Sequence, residues 1–354
     1  MVMSAYSDHH PVPQSGSLPS QQSGRAFLFN PDYGVTLSII VPLYNESSSI
    51  DLFVNRTEHV LHDLLSSLGG NYEIIFINDG STDDTVDKLL QHRDRNPWIK
   101  IINLSRNFGK ESALCAGLHY SNGAAVVPMD VDLQDPPELL PDLFEKWLEG
   151  YDVVYATRRD RHADSWIKRF TAFGFFRLFN RLAETKIPKD TGDFRLMDRR
   201  VIQAIRELPE RTRFMKGLFT WVGFRQIGVE YDRPSRSSGK TKWNNRGLWK
   251  LAMDGITSFS IVPLRIWTYI GLSVSVLALS YGLFLTIRTM AGGIDVPGYA
   301  SLMVTILFLG GLNLFTLGIL GEYLGRMFME VKGRPLYLLR ETYGFGINAS
   351  KHIK

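Results

Sequence analysis

From Val35 onward the apolar positions come in short continuous runs, TLSIIVPL, YEIIFIN, IKIINL, AAVVPM and YDVVYAT, with stretches of helical spacing between them. Continuous Val/Ile runs of this length predict strands buried on both faces, and their alternation with helical segments predicts a mostly parallel sheet covered by helices on each side. The helices are expected at about Ser48 to Leu68, Asp83 to Arg93, Lys110 to His119 and Pro137 to Gly150, and the last two strands over AAVVPMDVD and YDVVYATR. The fold class is therefore α/β and Rossmann-like. In such sheets ligands collect outside the carboxyl ends of the strands. Each predicted strand ends in polar residues: Tyr44-Asn45-Glu46, Asn78-Asp79-Gly80, Ser105-Arg106-Asn107, Asp130-Val131-Asp132 and Thr157-Arg158-Arg159.

The pattern changes after residue 260. Between Arg265 and Arg288 lie 22 residues without a charge, and between Asp295 and Glu322 another 26. At 1.5 Å per residue either run crosses a hydrocarbon core of about 30 Å, which predicts a membrane hairpin; two buried core helices are the alternative. Residues 233–250 hold six basic residues and no acid, and Arg326, Lys332, Arg334 and Arg340 follow the second run. Basic flanks stay on the cytoplasmic side, so both ends of the hairpin and the domain before it are expected there. Two aromatic and basic stretches, 166–184 and 244–260, read as interfacial helices. Two spans are few to shield a lipid path, which favours a homo-oligomer.

Composition adds limits. Forty Lys+Arg against 36 Asp+Glu is too mild an excess to argue for nucleic acid. The only cysteine, Cys115, rules out an internal disulfide and reads as a packed small apolar residue. No GxGxxG follows the first strand, no GxxxxGK[ST] or HExxH occurs, and the histidines show no ligand spacing. A phosphate-binding helix start remains available at Gly109-Lys110. The first residues, rich in Ser, Pro, Gln, Gly and His, read as a disordered leader.

The stretch MDVDLQDPPE concentrates four carboxylates, Asp130, Asp132, Asp135 and Glu138. Strand alternation would aim Asp130 and Asp132 to one side, and two such carboxylates suit a hard divalent cation, Mg²⁺ or Mn²⁺, whose remaining ligands are water and phosphate oxygens. A solvated turn is the other reading. Asp135 and Glu138, around Pro136-Pro137, look like a helix start.

Taken together, PLYNE (42–46), NDGSTDDT (78–85), the DVDLQDPPE run, TGDFRLMDR (191–199) and RSSGKTKW (236–243), ahead of a two-span hairpin, resemble the inverting family 2 glycosyltransferases of GT-A fold. More narrowly they resemble the polyprenyl-phosphate sugar transferases, the GtrB-type bactoprenol glucosyltransferases and the dolichol-phosphate mannose synthases. The resemblance implies a nucleotide-sugar donor, UDP-glucose before GDP-mannose, a polyprenyl-phosphate acceptor and a divalent cation. It implies that Pro42, Tyr44 and Glu46 line the nucleoside pocket, that Asp79 reaches the base or ribose, and that Lys110, Asp130 and Gln134 contact the donor. Asp130 and Asp132 would hold the metal. Asp193 falls where the family has a catalytic carboxylate, and Arg158, Arg236 and Lys242 would meet the acceptor phosphate. Other readings stand beside these: Tyr44 as a core aromatic, Asp79 as a turn residue, and Asp83 and Asp84 as helix-start residues. Arg159, Arg161 and Lys240 read as general attraction to lipid headgroups.

The implied organisation is a leader over 1–34, a catalytic domain over 35–232, a basic segment with an interfacial helix over 233–263, two transmembrane helices over 264–323 and a cytoplasmic tail over 324–354. A processive polysaccharide synthase fits less well, lacking a QxxRW motif and further spans. A membrane-tethered nucleotide-sugar binding protein without catalysis is the rival of another class.

Overall fold

The computed structural model describes residues 34–66, 70–159, 191–210, 213, 215–231, 262–292 and 298–345. The leader, both predicted interfacial helices and the basic segment with Arg236, Lys240 and Lys242 lie outside these residues, as does Arg161.

Strands β1 (Leu37–Leu43), β2 (Tyr72–Asn78), β3 (Ile99–Leu104), β4 (Ala125–Pro128), β5 (Val153–Arg158), β6 (Thr191–Asp198), β7 (Gln226–Tyr231) and β8 (Leu339–Tyr343) form one sheet. Its order is β7-β5-β6-β4-β1-β2-β3-β8. The pairs β1–β2, β1–β4 and β2–β3 are parallel, as the apolar runs predict. The sheet as a whole is mixed, because β6 runs antiparallel to both β4 and β5, and β8 runs antiparallel to β3. Neither antiparallel strand is a Val/Ile run. TGDFRLMD alternates polar and apolar positions, and LRETY is a charged edge strand of the kind that discourages edge-to-edge pairing.

Helices α1 (Ser47–Ser66), α2 (Thr85–Arg95) and α4 (Leu140–Leu148) cover one face, while α3 (Lys110–Tyr120), α5 (Arg199–Glu207) and α6 (Met215–Trp221) cover the other. Strand alternation divides the core: Ile39 and Val41 of β1 pack towards Phe53 and Phe144, and Ile40 towards Leu114 and Ala116. Cys115 lies in this second layer beside Met215, and burial pushes its thiol up to about 11, so it packs as a small apolar residue.

Local chemistry shifts several boundaries. Strand β4 stops at Pro128 instead of continuing to Asp132. Pro128 has no N–H for the ladder, and Leu133 turns the chain with φ 56°. Asp135 does not start a helix: its carboxylate accepts from the Tyr231 hydroxyl at 2.7 Å, and a 3₁₀ turn over Pro137–Leu139 leads into α4. Glu138 sits in that turn and holds Arg56 of α1 through two bonds of 2.6 and 2.9 Å.

Helices α7 (Val262–Gly292) and α8 (Tyr299–Val331) are both long and apolar enough to cross a membrane, over Ile266–Phe284 and Ser301–Val331. Their side chains are largely exposed, which removes the buried-core alternative. Trp267 meets Phe315 with ring centroids 4.8 Å apart, pairing the two helices. Helix α8 runs on beyond residue 323, where Glu322 and Arg326 pair at 3.0 Å, and the chain then returns to the sheet as β8.

Candidate active site

Five strand ends and one strand start meet at one edge of the sheet. Strands β1 to β5 all point to this edge, and antiparallel β6 begins there, which brings Gly192 and Asp193 to the same place. The register pairs Ala125 with Asp198 and Val126 with Met197. Each step forward along β4 is a step back along β6, so the same register carried past the strand end sets Asp130 level with Asp193.

Lys110 joins the two. Its Nζ lies 2.7 Å from Asp130 Oδ1, 2.9 Å from Asp130 Oδ2 and 2.8 Å from Asp193 Oδ2. Burial disfavours the ammonium, yet Asp193 and Asp130 outweigh it and hold the Lys110 pKa above its ordinary value. Burial would likewise raise Asp193, but Lys110 and then Lys216 keep it well below the usual carboxylate range. Asp193 is therefore ionised at neutral pH.

The loops around this trio are stitched together by backbone groups. Asp79, buried at the end of β2, accepts from the Phe108 N–H at 2.7 Å and the Gly109 N–H at 2.9 Å, fixing the loop that opens α3. Gly80 has φ +72°, and a Cβ there would stand 2.6 Å from the backbone of Arg106 and Asn107, so only glycine lets the two loops touch. Asn45, with φ 54°, accepts from the Thr82 N–H at 2.8 Å and donates its own N–H to Ser81 Oγ at 2.9 Å. Asp83 accepts from the Thr85 and Ser47 N–H groups, in keeping with a helix-start role.

The predicted residues fall around this edge as follows. Pro42 is the penultimate residue of buried β1. Tyr44 is 41% exposed, which excludes it from the core, and Glu46 lies beside it with its N–H on Thr85 Oγ1 at 3.3 Å. Asp130 and Asp132 are both partly exposed between buried Met129, Val131 and Leu133, so the alternation outlasts the strand itself. Asp132 accepts from the Gln134 N–H at 3.2 Å, and Gln134 is buried below it. Arg158 closes β5 opposite Tyr231. Arg159 is exposed and pairs with Glu230 at 3.3 Å.

Two residues that the sequence reading passed over belong to the same centre. Arg195, two positions along β6 from Asp193 and only 3% exposed, donates to Gly192 O at 2.7 Å and lies over the Phe219 ring at 4.4 Å. Burial pulls it down to about 10 against the opposing pull of Asp193, so it remains cationic. Glu111, next to Lys110, accepts the Met215 N–H at 3.2 Å and is pushed up to about 7 by burial and then by the Asp193 charge. The alternation of TGDFRLMD was the available signal for Arg195; no spacing marks Glu111.

Comparison with known proteins decides the family. The Glycosyl transferase family 2 model matches residues 38–206, and the GtrB C-terminal hairpin model matches residues 262–327. An uncharacterized glycosyltransferase of Synechocystis is 56% identical over 88% of this chain and 96% of its own length. The SfII prophage-derived bactoprenol glucosyl transferase of Shigella flexneri is 47% identical over 87% of this chain and 98% of its own. The prophage bactoprenol glucosyl transferase homolog of Escherichia coli K12 is 47% identical over 86% and 99%. The chain belongs to glycosyl transferase family 2. It carries the GtrB-type hairpin, so the enzyme is a membrane-associated glycosyltransferase of GT-A-like fold.

As a family 2 enzyme the chain separates its signature stretches into two jobs. In TGDFRLMDR, Asp193 faces the site, whereas Asp198 caps α5 through the Arg200 N–H at 3.0 Å and accepts from Trp147 Nε1 at 3.0 Å. Arg199 is buried and donates to the carbonyls of Gly123 and Ser121. Among the described residues no group of three or more His, Cys, Asp or Glu comes together for a metal. The donor set whose chemistry fits a hard cation is Asp130 with Asp132, two partly exposed carboxylates two positions apart.

Proposed function

We propose that the enzyme transfers glucose from UDP-glucose, with inversion, to polyprenyl (undecaprenyl) phosphate at the cytoplasmic face of the plasma (inner) membrane, and works as a homo-oligomer. One observation carries the reading: the Lys110 ammonium joins Asp130, on the donor side, to an ionised Asp193, in a domain whose chain leaves for the membrane and comes back to the same sheet. The named Shigella and Escherichia relatives, matched over nearly their whole length, support the lipid acceptor and the glucose.

In this reading Tyr44, Glu46 and Asp79 border the nucleoside, with Pro42 beneath them, and Gln134 and Lys110 face the diphosphate. Asp130 and Asp132 would hold Mg²⁺ or Mn²⁺, which when bound offsets the charge of the leaving diphosphate. A lipid phosphate is already anionic, so the protein's main task is to bring two phosphate-bearing molecules into line against their repulsion. Arg158, Arg236 and Lys242 meet the acceptor phosphate, where guanidinium groups make bidentate contacts. Asp193 stands between the two halves. It keeps Lys110 at the diphosphate and, held ionised well below the usual carboxylate range, acts through its fixed negative charge and not as a proton acceptor. The acceptor oxygen bonds to the anomeric carbon as the bond from that carbon to the diphosphate breaks, and UDP departs.

The test is transfer by the purified protein from radiolabelled UDP-glucose or GDP-mannose to undecaprenyl phosphate. The expected result is a lipid-extractable product from UDP-glucose alone, absent with Asp193→Asn. A product from GDP-mannose instead would replace the donor, and nucleotide-sugar binding without any lipid product would mean a non-catalytic binding protein.

A further inference from the structure

Both matched family regions stop short of the segment after the hairpin, at residues 206 and 327. That segment does not trail away. Leu336, Tyr337, Leu339 and Phe345 pack against the α3 and α5 layer of the core, and β8 pairs with β3 from Ile101↔Tyr343 to Leu104↔Leu339. The Tyr337 hydroxyl lies 2.9 Å from His119 Nδ1 near the end of α3, and Phe345 stacks edge-on with Tyr120 at 5.3 Å. The last contact of the ladder is the one that matters for the site: Ser105 donates its N–H to Leu338 O at 2.9 Å. Ser105 begins the loop that Asp79 and Gly80 hold and that ends in Lys110.

We infer that residues 334–345 are a strap through which the second membrane helix positions the 105–110 loop, so that Tyr337 and β8 are positioning elements for Lys110. The physical basis is tethering. Only seven residues separate Val331, the end of α8, from Leu339, the start of β8. So short a connection holds the strand at an effective concentration in the millimolar range beside β3. The edge strand itself buries little, with Arg340, Glu341 and Thr342 all exposed, so its docking depends on that tether and on the Tyr337 and Phe345 ring contacts. Whatever stabilises the docked strap stabilises the loop, and by linkage a bound donor stabilises the strap. This inference rests on the proposed place of Lys110 at the donor.

The experiment uses the full-length enzyme in detergent, a form ending at Gly333, and a synthetic peptide of residues 334–345, with UDP-glucose affinity measured by calorimetry. Truncation is expected to weaken donor affinity at least ~10-fold, and millimolar peptide to restore it. Unchanged donor affinity and turnover in the truncated form overturns the inference. So does a peptide that raises the Tm of the truncated form without restoring affinity, since that marks a merely structural role. Should the truncated form fail to fold, Tyr337→Ala in the full chain takes its place: donor KM is expected to rise with kcat nearly kept and Tyr337→Phe partly rescuing, and an unchanged KM overturns the inference. Full-length Lys110→Ala separates the two claims. If it binds donor normally, the place of Lys110 is wrong; if it is impaired and the truncated form is not, only the strap fails.

Discussion

Lys110 is held by carboxylates from two different chain segments, and each partner predicts a distinct loss. Asp193→Asn removes one anion without changing shape, so turnover is expected to fall at least ~100-fold, about 2.7 kcal/mol of transition-state stabilisation, with UDP-glucose affinity changed only a few-fold. Asp130→Asn should instead abolish the gain in donor affinity that Mn²⁺ brings, which calorimetry with and without the ion reads directly. Glu111 gives a pH signature. Its carboxyl is pushed up to about 7 from the ordinary 4.5, so between these values the folded protein binds more protons than the unfolded chain, and stability falls as pH rises. Glu111→Gln removes that slope. The variant should gain on the parent between pH 5 and 8, by at most about 3 kcal/mol, in thermal unfolding followed across pH. A parallel pair of curves would mean that Glu111 titrates normally.

At the scale of elements, the site is made by loops from different strands that use one another's backbone. Gly80→Ala tests this, because a Cβ there meets the Arg106 and Asn107 backbone at 2.6 Å and the residue sits at φ +72°. The expected cost is about 2 kcal/mol or more in chemical unfolding, together with weaker donor binding as the 105–110 loop is displaced. Stability lost without any change in donor affinity would detach this loop from the site. The acceptor side is tested by a contrast between two arginines. Arg236→Ala should lower turnover ~100-fold at saturating lipid, whereas Arg159→Ala, whose exposed partner is Glu230 at 3.3 Å, should cost a few-fold and lose that effect in high salt. Equal behaviour of the two would reduce the basic segment to a membrane-surface patch.

For the molecule as a whole, the return of the chain to the sheet after α8 constrains the topology. With β8 paired to β3 beside the active-site loop, α8 ends on the side of the catalytic domain, and in the proposed two-span topology the turn between α7 and α8 lies across the membrane from it. Gly298, at the start of α8, lies outside the left-handed region, and a Cβ there would meet only Ser301 Oγ at 3.8 Å, an ordinary contact. In a Cys115→Ser background, Gly298→Cys should react with an impermeant thiol reagent applied from outside intact cells, and Arg340→Cys only after the membrane is opened. The reverse pattern would place the catalytic domain outside.

Hydrophobic periodicity determined the parallel half of the sheet, its helices and the two long apolar helices, because a strand buried on both faces and a helix in lipid each demand a continuous run of apolar residues. The polar strand ends could be read for the same reason: they mark where each run leaves the core. Tertiary structure alone decided the rest. TGDFRLMD and LRETY became strands by pairing with distant partners: Asp193, Arg195 and Asp198 interrupt the apolar pattern of β6 although it is buried on both faces, and β8, at the edge, needs no apolar run. The meeting of Asp193 with Asp130 follows from the antiparallel direction of β6, which spacing along the chain does not encode. The ionisation of Asp193 and the raised pKa of Glu111 depend on burial and on charges brought in from other elements, and these exist only once the chain has folded.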